Sequence, residues 1–440
     1  MMETKEKKGS VERSRSMPKL RFPEFKDEWD KQKLKNLAHF QAGYAFKSGD
    51  MSSELEDYQI VKMSNVYKNE LLLDRNPSFV NSINEKSKKF LLKQNDVVLT
   101  LTGTVGKRDY GYSVNIPESN KFLLNQRLVL LRGKKENSLF ISYLLKTDKF
   151  YYSFFNESKG GTGNQANVSS DDVKNIKLYS PAVAEQQKIA SFLSAVDEKI
   201  NQLKRKKELL QAYKKGMMQQ LFSQQLRFKD QNGNDFPEWE EKKLGDVFEF
   251  FSTNSFSRDK MNEEKGEVKN IHYGDIHTKY KALVDVECDE VPYVNQDVDL
   301  SKIKIENYCK DGDLILADAS EDYNDIGKSI EVKNIGDLKV LAGLHTILAR
   351  PKIQFSEGFL GQYVQSWFHR KQVMFEAQGT KVLGISVGRL KRIKIQIPSK
   401  EEQTKIAMFL LAFDAKIDTV STAITKTQDF KKGLLQQMFV

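Results

Sequence analysis

Two long stretches of the chain carry apolar residues on a seven-residue period. In the first, Ile189, Val196, Leu203, Leu210 and Met217 fall seven apart, and Phe192, Leu193, Ile200, Tyr213 and Leu221 widen the stripe. In the second, Ile406, Phe413, Val420, Thr427 and Leu434 do the same, flanked by Leu410, Ile417, Ile424 and Met438. That width and period predict an amphipathic helix with a coiled-coil seam. About forty residues rising about 1.5 Å each make a rod of about 60 Å. Pro181 and Pro398 open the stretches, in keeping with proline's preference for a first helical turn. Each helix could lie on its own domain. A small domain can hardly cover so long a seam, so the expectation is that the helices pack on each other as an antiparallel coiled coil, with a globular domain at each end.

The two stretches are also one sequence written twice. Residues 181 to 222 align without a gap to residues 398 to 439, and 19 of the 42 aligned positions are identical. The chain is a tandem duplication. Two similar halves joined through similar helices can present similar surfaces in a pseudo-twofold relation, which is the symmetry of duplex nucleic acid.

From Pro18 to about Tyr179, ahead of the first of these stretches, the pattern shortens to β-like pieces, Tyr58 to Met63, Asp96 to Leu101 and Arg127 to Arg132, separated by Gly, Asn, Ser and Pro clusters. An apolar set at Phe140, Leu144, Phe150 and Phe154 predicts a helix from Leu139 to Phe155. The later half echoes the landmarks: Leu20-Arg-Phe22 by Leu226-Arg-Phe228, the strand at Asp96 by that at Asp313, and Leu128 to Arg132 by Thr346 to Arg350. The loops between them diverge. The fold class is therefore α+β, with a flexible basic tail at 1–17, domains at 18–180 and 223–397, and spacer helices at 181–222 and 398–440.

At 440 residues, 39 % hydrophobic and 30 % charged, the chain is long enough for two or three domains with real cores. No apolar run approaches a membrane span and the first residues lack a secretory core, so a cytoplasmic location is expected. Cys288 and Cys309 lack a close CxxC spacing, so neither a disulfide framework nor a structural zinc site is indicated. A net charge of +10 suits a polyanionic partner without identifying one.

Catalytic constellations fail on inspection. Gly103 to Lys107 resembles the end of a phosphate loop, but Leu101 stands where a glycine is needed and Arg108 where Ser or Thr is needed. Asn76-Pro-Ser-Phe79 lacks the second proline of an amino-methyltransferase motif. Asp318, Asp322 and Asp325 with Glu331-Val-Lys333 could be forced into a magnesium nuclease pattern, which accident supplies readily in so charged a chain. His272 and His277 bracket Asp275 without a metal-binding spacing. No catalytic residue and no metal ligand is assigned.

What remains suits base edges and phosphates. Arg pairs with guanine, Asn and Gln pair with adenine, and Lys, Ser and Thr hold phosphates. In the first domain the candidate DNA-contacting residues are Tyr44, Lys47, Lys62, Ser64, Asn65, Thr102, Thr104, Lys107, Arg108, Gln126, Arg127, Thr162, Asn164 and Gln165. In the second they are Arg258, His272, Tyr273, Ser320, Tyr323, Lys328, His345, Thr380 and Lys381. Any one alone reads as a solvated loop residue; their recurrence at equivalent places in both repeats is the signal.

Gly103-Thr-Val-Gly-Lys107 after the Asp96 strand, then Gly161-Thr162, Val168-Ser169, Ile176, Pro181, Glu185-Gln186 and Ile189, resemble the specificity subunit of type I restriction-modification enzymes. Gly379-Thr380, Ile385-Ser386, Ile393, Pro398, Glu402-Gln403 and Ile406 repeat the resemblance. It implies two target-recognition domains, each reading half of a split, asymmetric double-stranded DNA site, and paired spacer helices that dock modification methyltransferase subunits. S-adenosylmethionine would then reside in those partners, and ATP and Mg in partner subunits that include the restriction translocase, with no cofactor in this chain. Glu321 to Asp325 replaces the first repeat's glycine-rich turn, so the second loop is expected to touch DNA differently.

Overall fold

The structure, a computed structural model, describes residues 16–157, 159–160 and 165–440. Ser16 and Met17 are therefore the only described residues of the tail, and the Ser16 carbonyl accepts from the Trp29 N–H at 3.2 Å. By internal contacts the chain divides into two compact units: Met1–Leu203 with Ala423–Val440, and Lys204–Thr422. Each unit thus holds one globular domain, the first part of one long helix and the last part of the other.

In the first unit a four-stranded antiparallel sheet sets Leu128–Gly133 between Ala38–Ala42 and Val97–Thr100, with Ser113–Asn115 outside the latter. Its strands read as nearly continuous Val and Leu because both faces are covered, one by the main core and one by a second cluster around Val98, Val114 and Leu130. A small mixed sheet places Tyr58–Val61 between Phe122–Leu124, parallel to it, and Phe79–Val80. The single helix expected from Leu139 to Phe155 is two, Ser138–Leu144 and Asp148–Asn156. The break is made by Thr147, whose hydroxyl donates to the Leu144 carbonyl at 2.8 Å and accepts from the Phe150 N–H at 3.2 Å. A side chain that competes in this way for backbone groups ends one helix and caps the next.

The second unit repeats the plan. Thr346–Pro351 lies between Phe248–Phe251 and Leu314–Ala317, Ser329–Lys333 lies beyond, and Leu283–Asp285 adds a fifth strand. The small sheet again has a parallel pair, Val268–Ile271 with Lys339–Ala342. Two forked ion pairs pin the same strands in both units. Arg132 donates to Asp96 at 2.7 and 2.6 Å, and Arg350 to Asp313 at 3.0 and 2.8 Å. A second pair ties each domain's opening to its helix: Arg21 to Glu185 at 2.7 and 2.7 Å, and Arg227 to Glu402 at 3.1 and 2.9 Å.

The long helices run Val183–Phe222 and Lys400–Met438. Pro181 and Pro398 fall two residues before the helices rather than in their first turns, and the carbonyls of both accept from Gln186 and Gln403 side chains at 2.9 Å. Gln186 also accepts from the Asn137 N–H at 3.2 Å and Gln403 from the Ser356 N–H at 3.0 Å, which docks each helix start against its own sheet.

Within each unit the start of one helix packs beside the end of the other, antiparallel. In the first unit Ile189 and Leu193 share the main core with Leu434, Met438 and Phe439, and Lys431 pairs with Asp197 at 2.5 Å. In the second, Ile406 and Leu410 share a core with Leu221 and Phe222, and Lys214 pairs with Asp414 at 2.6 Å. The two ion pairs are repeat-equivalent. So are the two aromatic plugs: Phe439 sits 6.1 Å from Trp29 and 5.5 Å from Phe140, and Phe222 sits 6.4 Å from Trp239 and 6.0 Å from Phe359. Both sequence alternatives therefore hold in part, since a helix lies on its own domain at its start and completes the other repeat's core at its end. Of the seam residues, Ile189, Ile406, Val420 and Leu434 are buried, whereas Val196, Leu203, Leu210, Met217 and Phe413 are half-buried. Tyr213 is 54 % exposed, its ring 5.2 Å from that of Phe413.

Candidate nucleic-acid interface

In the first unit the main sheet has two functionally different ends. Ala38, Val97 and Gly133 lie at the end beside the helix junction, and Ala42, Thr100 and Leu128 at the other. Three loops leave that other end: 43–51, 101–112 and 125–127. They are stitched together by backbone bonds from Gly43 N–H to Leu128 O (3.0 Å), Gln126 N–H to Tyr44 O (2.8 Å) and Leu101 N–H to Arg127 O (3.1 Å). The approach is so close at Gly43 that a Cβ there would lie 1.8 Å from the Asn125 carbonyl oxygen, so only glycine fits.

Tyr44, Gln126, Arg127 and Lys47 thereby become neighbours across eighty residues of sequence, the last three exposed. Arg127 has φ +68, a left-handed conformation that turns the chain sharply into the following strand. The Tyr44 ring packs on Phe46 and Phe90 at 4.9 and 5.0 Å, leaving it half-buried. The strand Thr102–Thr104 pairs antiparallel with Gln165–Asn167 at the same end. Its turn is closed by Asp109, which accepts from the Thr104 N–H and hydroxyl at 2.8 and 2.8 Å. Lys107 is exposed at the tip, and the Arg108 guanidinium lies 5.3 Å over the Phe155 ring. Thr162 and Asn164 lie outside the described residues, and Gln165 is described by its backbone.

Two first-domain expectations need correction. Asn65 is fully buried: its amide donates to the carbonyls of Leu72 (3.0 Å) and Arg75 (2.8 Å) and accepts from the Lys62 N–H (2.9 Å). With both amide hydrogens and the side-chain oxygen engaged inside and the residue fully buried, it holds a turn and offers nothing to a base edge. Thr102 is likewise buried, its hydroxyl on the Met63 sulfur at 2.6 Å. Lys62 is half-buried and donates to Ser78 at 2.6 Å, and Ser64 beside it is half-buried.

The second unit builds the same sheet end from different chemistry. Ala317, Thr346 and Phe251 terminate there, and Arg258, His272, Tyr273, His277, Asp318 and His345 gather around them. Tyr273 lies tilted against His272 at 4.6 Å and meets His345 and His277 edge-on at 5.4 and 6.0 Å. His272 caps the helix Tyr273–Thr278 by accepting from the Gly274 N–H, and burial lowers its pKa below the ordinary value, so it is neutral at pH 7. Arg258 is committed to Asp275 at 2.6 Å, and Lys328 donates to the His277 carbonyl at 2.7 Å. Tyr323 donates to the Met374 carbonyl at 2.8 Å and is 52 % exposed. Ser320 accepts from the Asp322 N–H at 3.0 Å, turning the acidic loop. The strand Ala319–Ser320 pairs with Leu383–Gly384, beside which Thr380 and Lys381 are exposed. Of the nine second-domain candidates, Ser320 lies in the short strand Ala319–Ser320, Arg258 and Tyr273 open short helices, and the others lie in the connecting segments.

The nuclease-like pattern rejected in the sequence has its Glu and Lys committed elsewhere in space. Glu331 is buried, accepting from the Gly358 and Gly361 N–H groups at 2.8 and 2.7 Å, with burial pushing its pKa up to about 7. Lys333 pairs with Asp285 and Glu357 at 3.5 and 3.3 Å. Among the described residues no group of His, Cys, Asp and Glu is placed to hold a metal ion, and no helix is long and apolar enough to cross a membrane.

Sequence reasoning missed the node formed by Asp318 and His345, whose Oδ1 and Nδ1 are 3.3 Å apart. Aligning the repeats at the strands beginning Asp96 and Asp313 would have exposed it, because position 318 then falls on Leu101.

The chain resembles known proteins along most of its length. The family model for the type I restriction modification DNA specificity domain matches residues 26–211 and again 237–427. The MjaVIII type I restriction enzyme specificity subunit of Methanocaldococcus jannaschii is 26% identical over 363 residues, 79% of either chain. The putative MjaX specificity subunit of the same organism is 23% identical over 436 residues, 95% of this chain and 94% of the relative. In fold, the chain is similar to the S subunit of a type I restriction-modification system from M. genitalium, with a TM-score of 0.56 and 16% identity over 96% of this chain and 99% of that one. A chain from a study of complex assembly and conformational transition in a type I R-M system gives 0.52 and 16% over 93% and 96%. With two family domains covering most of its residues, each ending in a loop cluster on the same sheet frame, this chain belongs to the type I restriction-modification DNA specificity family.

Proposed function

We propose that this chain is the sequence-reading and assembly subunit of a type I restriction-modification complex, acting without catalysis of its own. Domains at 18–180 and 223–397 each read half of a bipartite, asymmetric double-stranded DNA site, and the helices at 181–222 and 398–440 separate the half-sites and dock the partners. The observation that carries this reading is the pairing of one repeated frame with two different loop sets. A common frame presents both domains to DNA alike, and unlike loops select unlike sequences.

In the first domain, Gln126, Arg127, Lys107 and Arg108 supply base-edge and phosphate donors; in the second, His345, Tyr273, Thr380 and Lys381 do so. S-adenosylmethionine belongs to modification methyltransferase subunits, and ATP and Mg to partners that include restriction translocase subunits. The complex works in the cytoplasm. Phosphate contacts make affinity fall with salt, whereas base contacts carry the choice.

Replacing residues 18–180 with the corresponding domain of a relative tests the reading. Methylation-motif sequencing of cells expressing the assembled complex should show one half of the motif changed and the other intact. A change in both halves would defeat the modular assignment, and no sequence-specific methylation by the unaltered complex would defeat the function itself.

A further inference from the structure

The two domains carry the same backbone node with opposite chemistry. In the first, the Leu101 N–H donates to the Arg127 carbonyl at 3.1 Å and the Leu101 carbonyl accepts from Val168 N–H at 2.9 Å. In the second, the Asp318 N–H donates to the His345 carbonyl at 3.1 Å and the Asp318 carbonyl accepts from Ile385 N–H at 2.9 Å. Arg127 and His345 share the left-handed conformation, φ +68 and +53. Two backbone bonds of the node recur at equal lengths, and the side chains they carry differ.

In the first domain Leu101 is buried, 8 % exposed and part of the core, while Arg127 is exposed and brings a permanent cation. In the second, the carboxylate of Asp318 stands 33 % exposed beside an imidazole. It faces an open pocket of about 530 Å³ lined by Asp318, Gln378, Ser386 and Arg389 over the apolar Leu383 and Ile385. Ser386 makes no cap bond to its short helix, although Ser169 at the equivalent position accepts from the Asp172 N–H. Arg389 is directed to Glu376 at 3.3 Å.

A carboxylate at a DNA-facing loop end repels phosphates and cannot accept from the acceptor-only edges of guanine or thymine. It can accept from an exocyclic amine, and in the major groove only cytosine N4 and adenine N6 supply one. The neighbouring imidazole, in the tautomer with hydrogen on Nδ1, donates to one oxygen and leaves the other for the base.

We propose that Asp318, oriented by His345, is a specificity-determining residue through which the second domain selects an amine-bearing base, cytosine or adenine, at one position of its half-site. At the equivalent node the first domain carries Leu101 and Arg127, and neither side chain is an acceptor. The proposal rests on the DNA-reading function proposed above.

The test is Asp318→Asn in the full chain assembled with its methyltransferase partners, read by methylation-motif sequencing and by binding to duplexes randomised in the half-site assigned to the second domain. Asn keeps the shape and an acceptor but adds a donor, so discrimination against guanine and thymine at one position should fall about ten- to a hundred-fold. The other half-site should stay fixed, and whether cytosine or adenine is preferred by the unaltered protein names the base. Asp318→Ser serves the same purpose should the Asn variant fail to assemble. An unchanged motif, or relaxation confined to the first domain's half-site, overturns the assignment of Asp318 while leaving the bipartite reading standing. Absence of any motif in the unaltered complex overturns that reading itself.

Discussion

Set side by side, the two domains separate what a DNA reader must keep from what it can vary. The forked pairs Arg132–Asp96 and Arg350–Asp313, the helix-start ties Arg21–Glu185 and Arg227–Glu402, and the glutamines at 186 and 403 recur with the same partners. At the opposite end of each sheet the backbone recurs, while most of the described loop side chains do not. The first domain shows exposed Lys107, Gln126 and Arg127 there, whereas the second shows Tyr273 packed among histidines, an aspartate and an arginine already neutralised by Asp275. Buried ionic geometry is costly to alter one residue at a time; a solvated loop is not. The division of labour follows from that difference in cost.

The largest effect expected from breaking the comparison lies in the shared frame. Arg350→Ala would strand Asp313, which is 1 % exposed, and should destabilise the second unit by about 3–5 kcal/mol. Arg132→Ala should cost the first unit less, about 2–4 kcal/mol, because Arg132 is itself 36 % exposed and solvent already screens the pair. Denaturant unfolding of the two variants measures both, and equal costs would contradict the burial argument.

Next come the loops. Arg108→Ala and Gln126→Ala should each weaken discrimination by about 1–3 kcal/mol, and both in the half-site read by the first domain. Motif sequencing decides it; loosening in the second half-site, or in neither, removes these residues from the interface.

The smallest effect sharpens the comparison inside the cores. Phe150 fills the first core, while His369, at the equivalent turn of the helix Trp367–Glu376, is 1 % exposed in the second. Neither ring nitrogen has a hydrogen-bond partner, and burial holds its pKa down to about 3. An unfolded histidine titrates near 6.5. Between those values the unfolded chain binds a proton that the folded domain refuses, so this residue's stability contribution is whole above 6.5 and is lost as pH falls. His369→Phe should stabilise the second unit by about 1–2 kcal/mol at pH 7 and by more at pH 5. Thermal melts at the two pH values check it, and a smaller gain at pH 5 would show that the imidazole is not the acid-sensitive group.

Much of this was legible in the sequence because duplication marks a frame: residues that survive twice, such as Asp96 and Asp313 or Gln186 and Gln403, are those that hold strands and helices together. The strands followed from their apolar runs and the helices from the heptad period. The helix break at Thr147 was not legible, since a hydroxyl capping one helix and back-bonding another depends on backbone position rather than pattern. Nor was the burial of Asn65, whose partners are backbone groups of Lys62 and of the turn from Leu72 to Arg75. Asp318 was noticed only as a would-be metal ligand, because its meaning lies in facing Leu101 across the repeat, and periodicity carries no such comparison.

The plugs and pairs at the helix junctions have a consequence for how such a chain can be cut. Every long helix carries, on itself, both halves of the contact it makes: Asp197 with Lys214 in one, Asp414 with Lys431 in the other, and a terminal phenylalanine that fits the core of the opposite repeat. A single repeat is therefore self-complementary. A chain ending after residue 222 should find in a second copy of itself the lysine, the aspartate and the aromatic stopper it has lost. It would assemble as a true twofold dimer, and its DNA target would change from an asymmetric pair of half-sites to a palindrome. Sedimentation of the truncated chain, and the motif it directs, would show whether the present asymmetry is anything more than two copies of one ancestor that were allowed to drift apart.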